Sequence, residues 1–377
     1  MLSLHNPTRP PISLSALEAR RIAAAASLVP AGATTPQSIL TRVGLIQLDA
    51  LARVDRAHRL TGLARLPGNA RAPEIDATLW SRGEAVSFET HTHAAALIPV
   101  EDWPLFRLNR MSATQRRDAP SAAELEGVTA LIRESNHGLT LARIEETAPR
   151  SGGRWDWSEC KRITEHLVWR GDIVSTDRRL NRRIYDVPER RIPEPLLNRT
   201  LSRSQILIGL ANRAIDALGV ATASDVAHYY NLTPADAAYG LEHGHAIPTR
   251  VEGWSAPTWT SPVSELLTTP QSPDPRLIGP FDPLIRDRDR ARRVFNFDYT
   301  FEAYKPAAKR IYGHYVLGVI LGSEFIGRAD VRREGRTLIV NALFPEPGTN
   351  AAHFRAAASA AAETLASQLA LTTSVRC

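Results

Sequence analysis

The sequence predicts a mixed α+β protein in which tandem winged-helix (helix-turn-helix) motifs precede a C-terminal β-rich domain. Three observations carry that expectation. Residues 122–188 read as three helices and then two short strands around an arginine-rich turn, the order of a winged helix. Residues 202–250 repeat that order in architecture, though not in residues. After residue 281 the composition turns to strands.

The elements follow in order. Residues 1–12 hold Pro7, Pro10 and Pro11 and read as a loose arm. Ser15 with Glu18 three positions on is a capping box, opening an alanine-rich helix to about Leu28. Thr35-Pro36 supplies a cap and a proline at the first helical position, for a short helix to about Val43. Gly44-Leu45-Ile46-Gln47-Leu48-Asp49 comes next. As a strand over 45–50 it sets Gln47 and Asp49 on one face, about 7 Å apart at the backbone. An amide and a carboxylate so placed can hold a water; on a surface strand both would simply face solvent. Residues 53–66 and 72–80 read as mostly helical. Residues 88–99 form a short apolar segment carrying Glu89, His91 and His93.

The clearest module lies between 122 and 188. A helix over 125–136 ends at Gly138, Thr140 caps a second to Ala148, and 149–153 make the turn. A third helix over 154–169 sets Trp157, Cys160, Ile163 and Leu167 on one face, and Gly171 closes it. Two strands then flank 177–182, so Arg178, Arg179, Arg182 and Arg183 cluster on or near the wing tip, where phosphates are reached; a solvated charged hairpin would look the same in sequence. In the second module, helices run over 204–218, 224–230 and 233–242, with a hairpin-like tail holding Ile247 and Val251. The domain expectation is therefore 1–120, winged-helix-like; 121–200, an arginine-rich winged helix; 201–255, a further such motif; 256–280, a Pro/Ser/Thr linker; and 281–377, strands at 293–301, 312–321, 324–331 and 337–344 with an alanine-rich helix over 350–370.

Composition narrows the function. The chain has 377 residues, 43% of them hydrophobic, enough for two or three domains. No window approaches about 18 apolar residues, and no basic patch and apolar run opens the N-terminus, so neither a membrane partner nor a leader is expected. Cys160 and Cys377 are the only cysteines. That excludes a disulfide scaffold and a thiolate zinc site and fits a reducing cytoplasm. The histidines of 91–93 and 243–245 lack a carboxylate at ligand spacing, so no metal is expected. Arg and Lys exceed Asp and Glu by 13 to 8 over 150–203, while the whole chain carries +6. So concentrated a basic segment is the footprint of a polyanion partner.

Several blocks together resemble one family, the winged-helix DNA glycosylases of the AlkZ and YcaQ type. Gly44 to Asp49, followed by Arg56-Ala57-His58, is similar to that family's Gln-x-Asp segment. Glu89-Thr-His-Thr-His93 through Pro99 is similar to its next block, with His91 where members often have Trp. Gly279-Pro-Phe-Asp-Pro-Leu-Ile-Arg-Asp-Arg288 resembles its C-terminal signature, and Phe301-Glu-Ala-Tyr304 through Lys309-Arg310 extends the match. The blocks keep family order over about 14–345. The resemblance implies a monofunctional glycosylase that excises N7-alkylated purines, with Gln47 and Asp49 catalytic. The Gln-x-Asp branch includes enzymes that unhook interstrand crosslinks made by alkylating natural products, a self-resistance role. His91 in place of Trp puts the shape of one pocket wall in question.

The residues agree with that chemistry. Losing a normal base from its sugar calls for an acid, and glycoside hydrolases bring paired carboxylates. One carboxylate and one amide cannot do this, but a cationic N7- or N3-alkylated purine departs as a neutral base without help. Asp49 can stabilise the oxocarbenium-like sugar and take a proton from water, while Gln47 orients that water. A lyase route needs an amine; of the three lysines, Lys305 and Lys309 lie in a family block, and with Arg310 and Arg56 they read better as phosphate contacts. His58, Glu89, His91 and His93 are pocket candidates. The expected partner is double-stranded DNA bearing alkylated purines or crosslinks, bound by a monomer in the cytoplasm at the nucleoid, with no cofactor. A winged-helix transcription regulator is the alternative, and a damage-binding protein with decayed catalysis a third reading.

Overall fold

The computed structural model describes residues 11–28, 35–114, 119–147, 157–179, 182–262 and 274–375. The arm up to residue 10, the turn at 149–153, the wing tip at 180–181, the Trp157 side chain and Cys377 lie outside the described residues. The chain forms two compact units, Asp76–Leu207 and Met1–Ile75 with Ile208–Cys377.

The unit Asp76–Leu207 contains a winged helix. Ser121 caps the Ala122–Glu134 helix in a capping box with Glu124. Leu139 bridges to Tyr185, and the Leu141–Thr147 and Trp157–Arg170 helices follow. Strands Val174–Arg179 and Arg182–Asp186 then pair antiparallel as the wing. Cys160, Ile163 and Leu167 are fully buried with Val128, Ile132 and Ile144, so the predicted helix face is the core face. Each such aliphatic side chain gives about 1.5–3 kcal/mol on burial. Gly138 has φ +64°, and a Cβ there would stand 2.7 Å from the Tyr185 carbonyl oxygen. Any side chain would push the Leu139 bridge off the wing. The segment read as short and apolar, 88–99, is a hairpin of Ser87–His91 and Ala95–Pro99, with Phe88 edge-on to Trp103 and Phe106.

In the other unit the Ala16–Ser27 helix has the Ser15–Glu18 capping box, and Pro36–Val43 starts behind Thr35. A second winged helix comprises the helix Arg203–Leu218, the strand Val220–Thr222, helices Ala223–Tyr230 and Pro234–His243, and strands Ile247–Val251 and Thr258–Thr260. Ile12–Leu14 adds a strand parallel to Ile247–Val251. The C-terminal sheet orders Arg276–Ile278, Val316–Leu321, Glu324–Glu334, Thr337–Pro345 and Thr372–Val375. The Ala351–Gln368 helix buries Ala357, Ala358, Ala361 and Ala362, small residues that allow close packing.

Three expectations change. The strand over 45–50 is only Ile46–Gln47, because Asp49 turns the chain. The stretch 256–280 is not all linker, since Thr258–Thr260 completes a wing and Arg276–Ile278 edges the C-terminal sheet. The strand over 293–301 is instead the end of a helix, Arg288–Phe295, capped by Asp287 and closed by Asn296 at φ +52°. Phe297 and Tyr299 beyond it are buried, so the alternation of aromatics there reports core contacts made by an irregular segment.

Candidate active site

The segment carrying Gln47 and Asp49 is fixed from both sides. Gly44, at φ +64°, ends the preceding helix, and the Val43 carbonyl accepts the Tyr229 hydroxyl at 2.6 Å. Leu45 and Ile46 are buried, and Gln47 is only 9% exposed. Asp49 is half-buried, and its Oδ1 accepts the Leu51 backbone N–H at 2.8 Å, a side-chain turn typical of Asp. That bond fixes one carboxylate oxygen. Asp55 accepts the Arg56 N–H at 2.7 Å and faces the Arg59 guanidinium at 3.3 Å. His58 is buried in the Ala57–Leu63 helix. Behind them Arg65 meets Asp282 of the Gly279–Arg288 block at 2.7 Å, with both side chains fully buried, and donates to the Ser27 carbonyl at 2.7 Å.

Tyr315 joins this neighbourhood, and sequence reasoning missed it. It is fully buried, and its hydroxyl has no hydrogen-bond partner among the described residues. Burial first, then Tyr299 and the carboxylates of Asp49 and Asp55, push its phenol far up, so it stays neutral. The backbone joins the same places, for the Arg333 N–H donates to the Arg53 carbonyl at 2.9 Å. The only signal in the sequence was that Tyr315 closely follows the Lys309-Arg310 block.

In the Asp76–Leu207 unit, Glu89 is the centre of a different arrangement. Its Oε1 accepts from Trp80 Nε1, Ser175 Oγ and Arg178 Nε, and its Oε2 from Arg178 Nη2 and Arg183 Nε, at 2.6–3.2 Å. Burial alone would raise this carboxyl, but the Arg183 and Arg178 guanidiniums hold it at about 2. Arg183 also reaches Glu165 at 2.5 Å, and Arg178 lies over the Trp80 ring at 4.9 Å. The four wing arginines are therefore unlike. Arg178 and Arg183, expected at the phosphates, are tied to a buried carboxylate within their own unit. Arg179 and Arg182 are exposed and pair across the wing, with Arg179 at 3.7 Å from Asp177. Glu89, expected in a pocket, has its carboxylate engaged by the wing and by Trp80.

The other candidates are placed as follows. His91 is exposed, its ring edge-on to Trp169 at 5.7 Å. His93 is half-buried, with Nδ1 at 3.2 Å from Thr92 Oγ1. His245 meets Asp216 at 3.0 Å and His243 stacks on Tyr239. Arg56 is half-buried at the start of its helix. Lys305 pairs with Glu302 at 3.0 Å, Arg310 donates to the Lys305 carbonyl at 2.9 Å, and Lys309 is exposed.

Two winged helices and a C-terminal sheet define a mixed α+β winged-helix protein. A family model described as DNA glycosylase AlkZ-like matches residues 40–367. The chain belongs to the AlkZ-like DNA glycosylase family and is a DNA glycosylase. In fold it is similar to the Streptomyces sahachiroi DNA glycosylase AlkZ, with a TM-score of 0.66 at 14% identity over 97% of this chain and 100% of that one.

Proposed function

We propose that this glycosylase is monofunctional and hydrolyses the N-glycosidic bond of cationic N7- and N3-alkylated purines in duplex DNA. The observation that carries the reading is the Asp49 carboxylate, half-buried and held through Oδ1 by Leu51, two residues beyond the buried amide of Gln47. As the C1′–N9 bond breaks, its electron pair neutralises the alkylated base, which leaves without a general acid. Positive charge grows on the sugar, and Asp49 stabilises it. Water oriented by the Gln47 amide adds to C1′ and gives its proton to Asp49. Crosslinks joined through guanine N7 carry the same activated bond, so unhooking them needs no new chemistry, only room.

DNA contact in this reading comes from Arg179 and Arg182 of the first wing and from Lys309 and Arg310, while Arg178 and Arg183 hold the wing in shape. The protein acts as a monomer in the cytoplasm, at the nucleoid. The test is release of 7-methylguanine from duplex DNA under single turnover by wild type and Asp49→Asn. Wild-type release that the variant loses while still binding DNA supports the assignment; equal release by both removes Asp49 from catalysis.

A further inference from the structure

Among the described residues two large apolar side chains stand out for exposure, Tyr304 at 81% and Ile311 at 72%. Both sit on one loop, and the loop is built rigid. Glu302, buried at its start, accepts the backbone N–H groups of Ile311, Tyr312 and Gly313 at 2.9, 2.7 and 3.3 Å through Oε2, and Lys305 Nζ through Oε1. One carboxylate thus draws both ends of the loop together. Burial would raise it, but those N–H groups and Lys305 hold it at about 2, so the clamp stays charged at neutral pH. Gly313 adds a backbone constraint, with φ +136° and the Asp330 carboxylate where a Cβ would go. The Tyr304 ring is braced from behind by Phe301 at 6.0 Å, and Phe301 in turn packs on Tyr315 at 5.9 Å.

A rigid loop that holds an aromatic and a branched aliphatic residue in water carries a desolvation debt that a ligand can relieve. With Glu302 neutralised by Lys305, the loop's uncompensated charge is that of Lys309 and Arg310, so the fitting ligand is a polyanion with apolar faces. Stacked bases between phosphates have that character. The loop also ends beside the candidate catalytic segment. His314 lies in the field of Arg53 as well as Arg310, and Tyr315 in that of Asp49 and Asp55.

We infer that the loop from Glu302 to Gly313 is a wedge, with Tyr304 and Ile311 entering the base stack of duplex DNA next to the lesion while Lys309 and Arg310 hold the flanking phosphates. Insertion of apolar side chains unstacks a base step, a cost that burial of the tyrosine ring offsets. This deepens the proposed function by adding how the alkylated nucleotide is separated from its neighbours, and it rests on duplex DNA being the substrate.

The test needs no chemistry on a lesion. A duplex carrying a tetrahydrofuran abasic analogue is labelled with 2-aminopurine at the neighbouring step and titrated with the full chain, following fluorescence for unstacking and anisotropy for binding. Wild type should raise the fluorescence several-fold. Tyr304→Ala with Ile311→Ala should abolish the rise while binding within about threefold, whereas Tyr304→Phe, which keeps the ring, should retain it. An unchanged signal in the double variant, or none in wild type, overturns the wedge. Base release is not read in this assay, so its outcome is separate from that of the 7-methylguanine release test, whose failure would contradict the proposed substrate and leave the wedge standing.

Discussion

Arg178 grips Glu89 as a fork, Nε to Oε1 at 2.6 Å and Nη2 to Oε2 at 2.7 Å. Because Arg183 shares the same carboxylate, one buried negative charge organises two positive ones. Glu89→Gln should therefore destabilise the Asp76–Leu207 unit. Breaking a buried pair costs about 3–5 kcal/mol. Here the guanidiniums keep 17% and 20% side-chain exposure, so on the order of 2–3 kcal/mol is expected. The carboxyl is depressed from 4.5 to about 2, so the unfolded chain takes up this proton first as pH falls. The gap between wild type and variant should be full above pH 4.5 and close as pH falls toward 2, a trend that denaturant melts at several pH values will read.

Asp49→Asn keeps the shape of the side chain and removes its charge. Single-turnover release of 7-methylguanine should fall by about 10²–10³, because the lost interaction belongs to the transition state. DNA affinity should stay level or rise slightly. Gln47→Ala should cost less, since water can partly reorient without the amide. An Asp49→Asn enzyme that fails only because it no longer binds would end the assignment.

The unlike wing arginines make separable predictions. Arg179→Ala with Arg182→Ala should weaken binding to any duplex and lower the salt slope by about 0.9 for each phosphate no longer neutralised, with the melting temperature unmoved. Arg183→Ala should lower the melting temperature, because it leaves both Glu89 and Glu165 short of a partner. A salt slope that survives the first pair would point the wing away from DNA.

Leaving-group activation sets the substrate range. EDTA should not slow release of 7-methylguanine. Uracil, whose glycosidic bond carries no positive charge to relieve, should stay in the DNA over the same time course. Efficient uracil release would mean that an acid outside the Gln47–Asp49 turn does the work.

The two kinds of information in the sequence fared differently. Local chemistry was readable, as with Ser15 and Glu18, Thr35 and Pro36, and the core face of Cys160, Ile163 and Leu167, because each depends on residues within a few turns. Over 293–301 the aromatic alternation outweighed the cap signal of Asp287, and the helix was missed. In the candidate site, Gln47 and Asp49 stand out by spacing, but the turn at Leu51 that shortens the strand does not. The ties of Glu89 to residues 86 and 94 positions away leave no local trace. The clamp of Glu302 on Ile311, Tyr312 and Gly313 likewise depends on a loop conformation that no periodicity encodes.

The parallel pairing of Ile12 with Thr249 has a consequence for how the chain matures. The unit Asp76–Leu207 is continuous, so a ribosome releases everything it needs before the other unit can close. The strand Ile12–Leu14 must wait, unpaired, until residues near 250 emerge, and long-range strand pairing is a slow step. During synthesis the exposed edge of that waiting segment is the place where a nascent chain is open to aggregation. Pulse-labelled hydrogen exchange on refolding should protect amides around Ile163 before those of Ile12–Leu14.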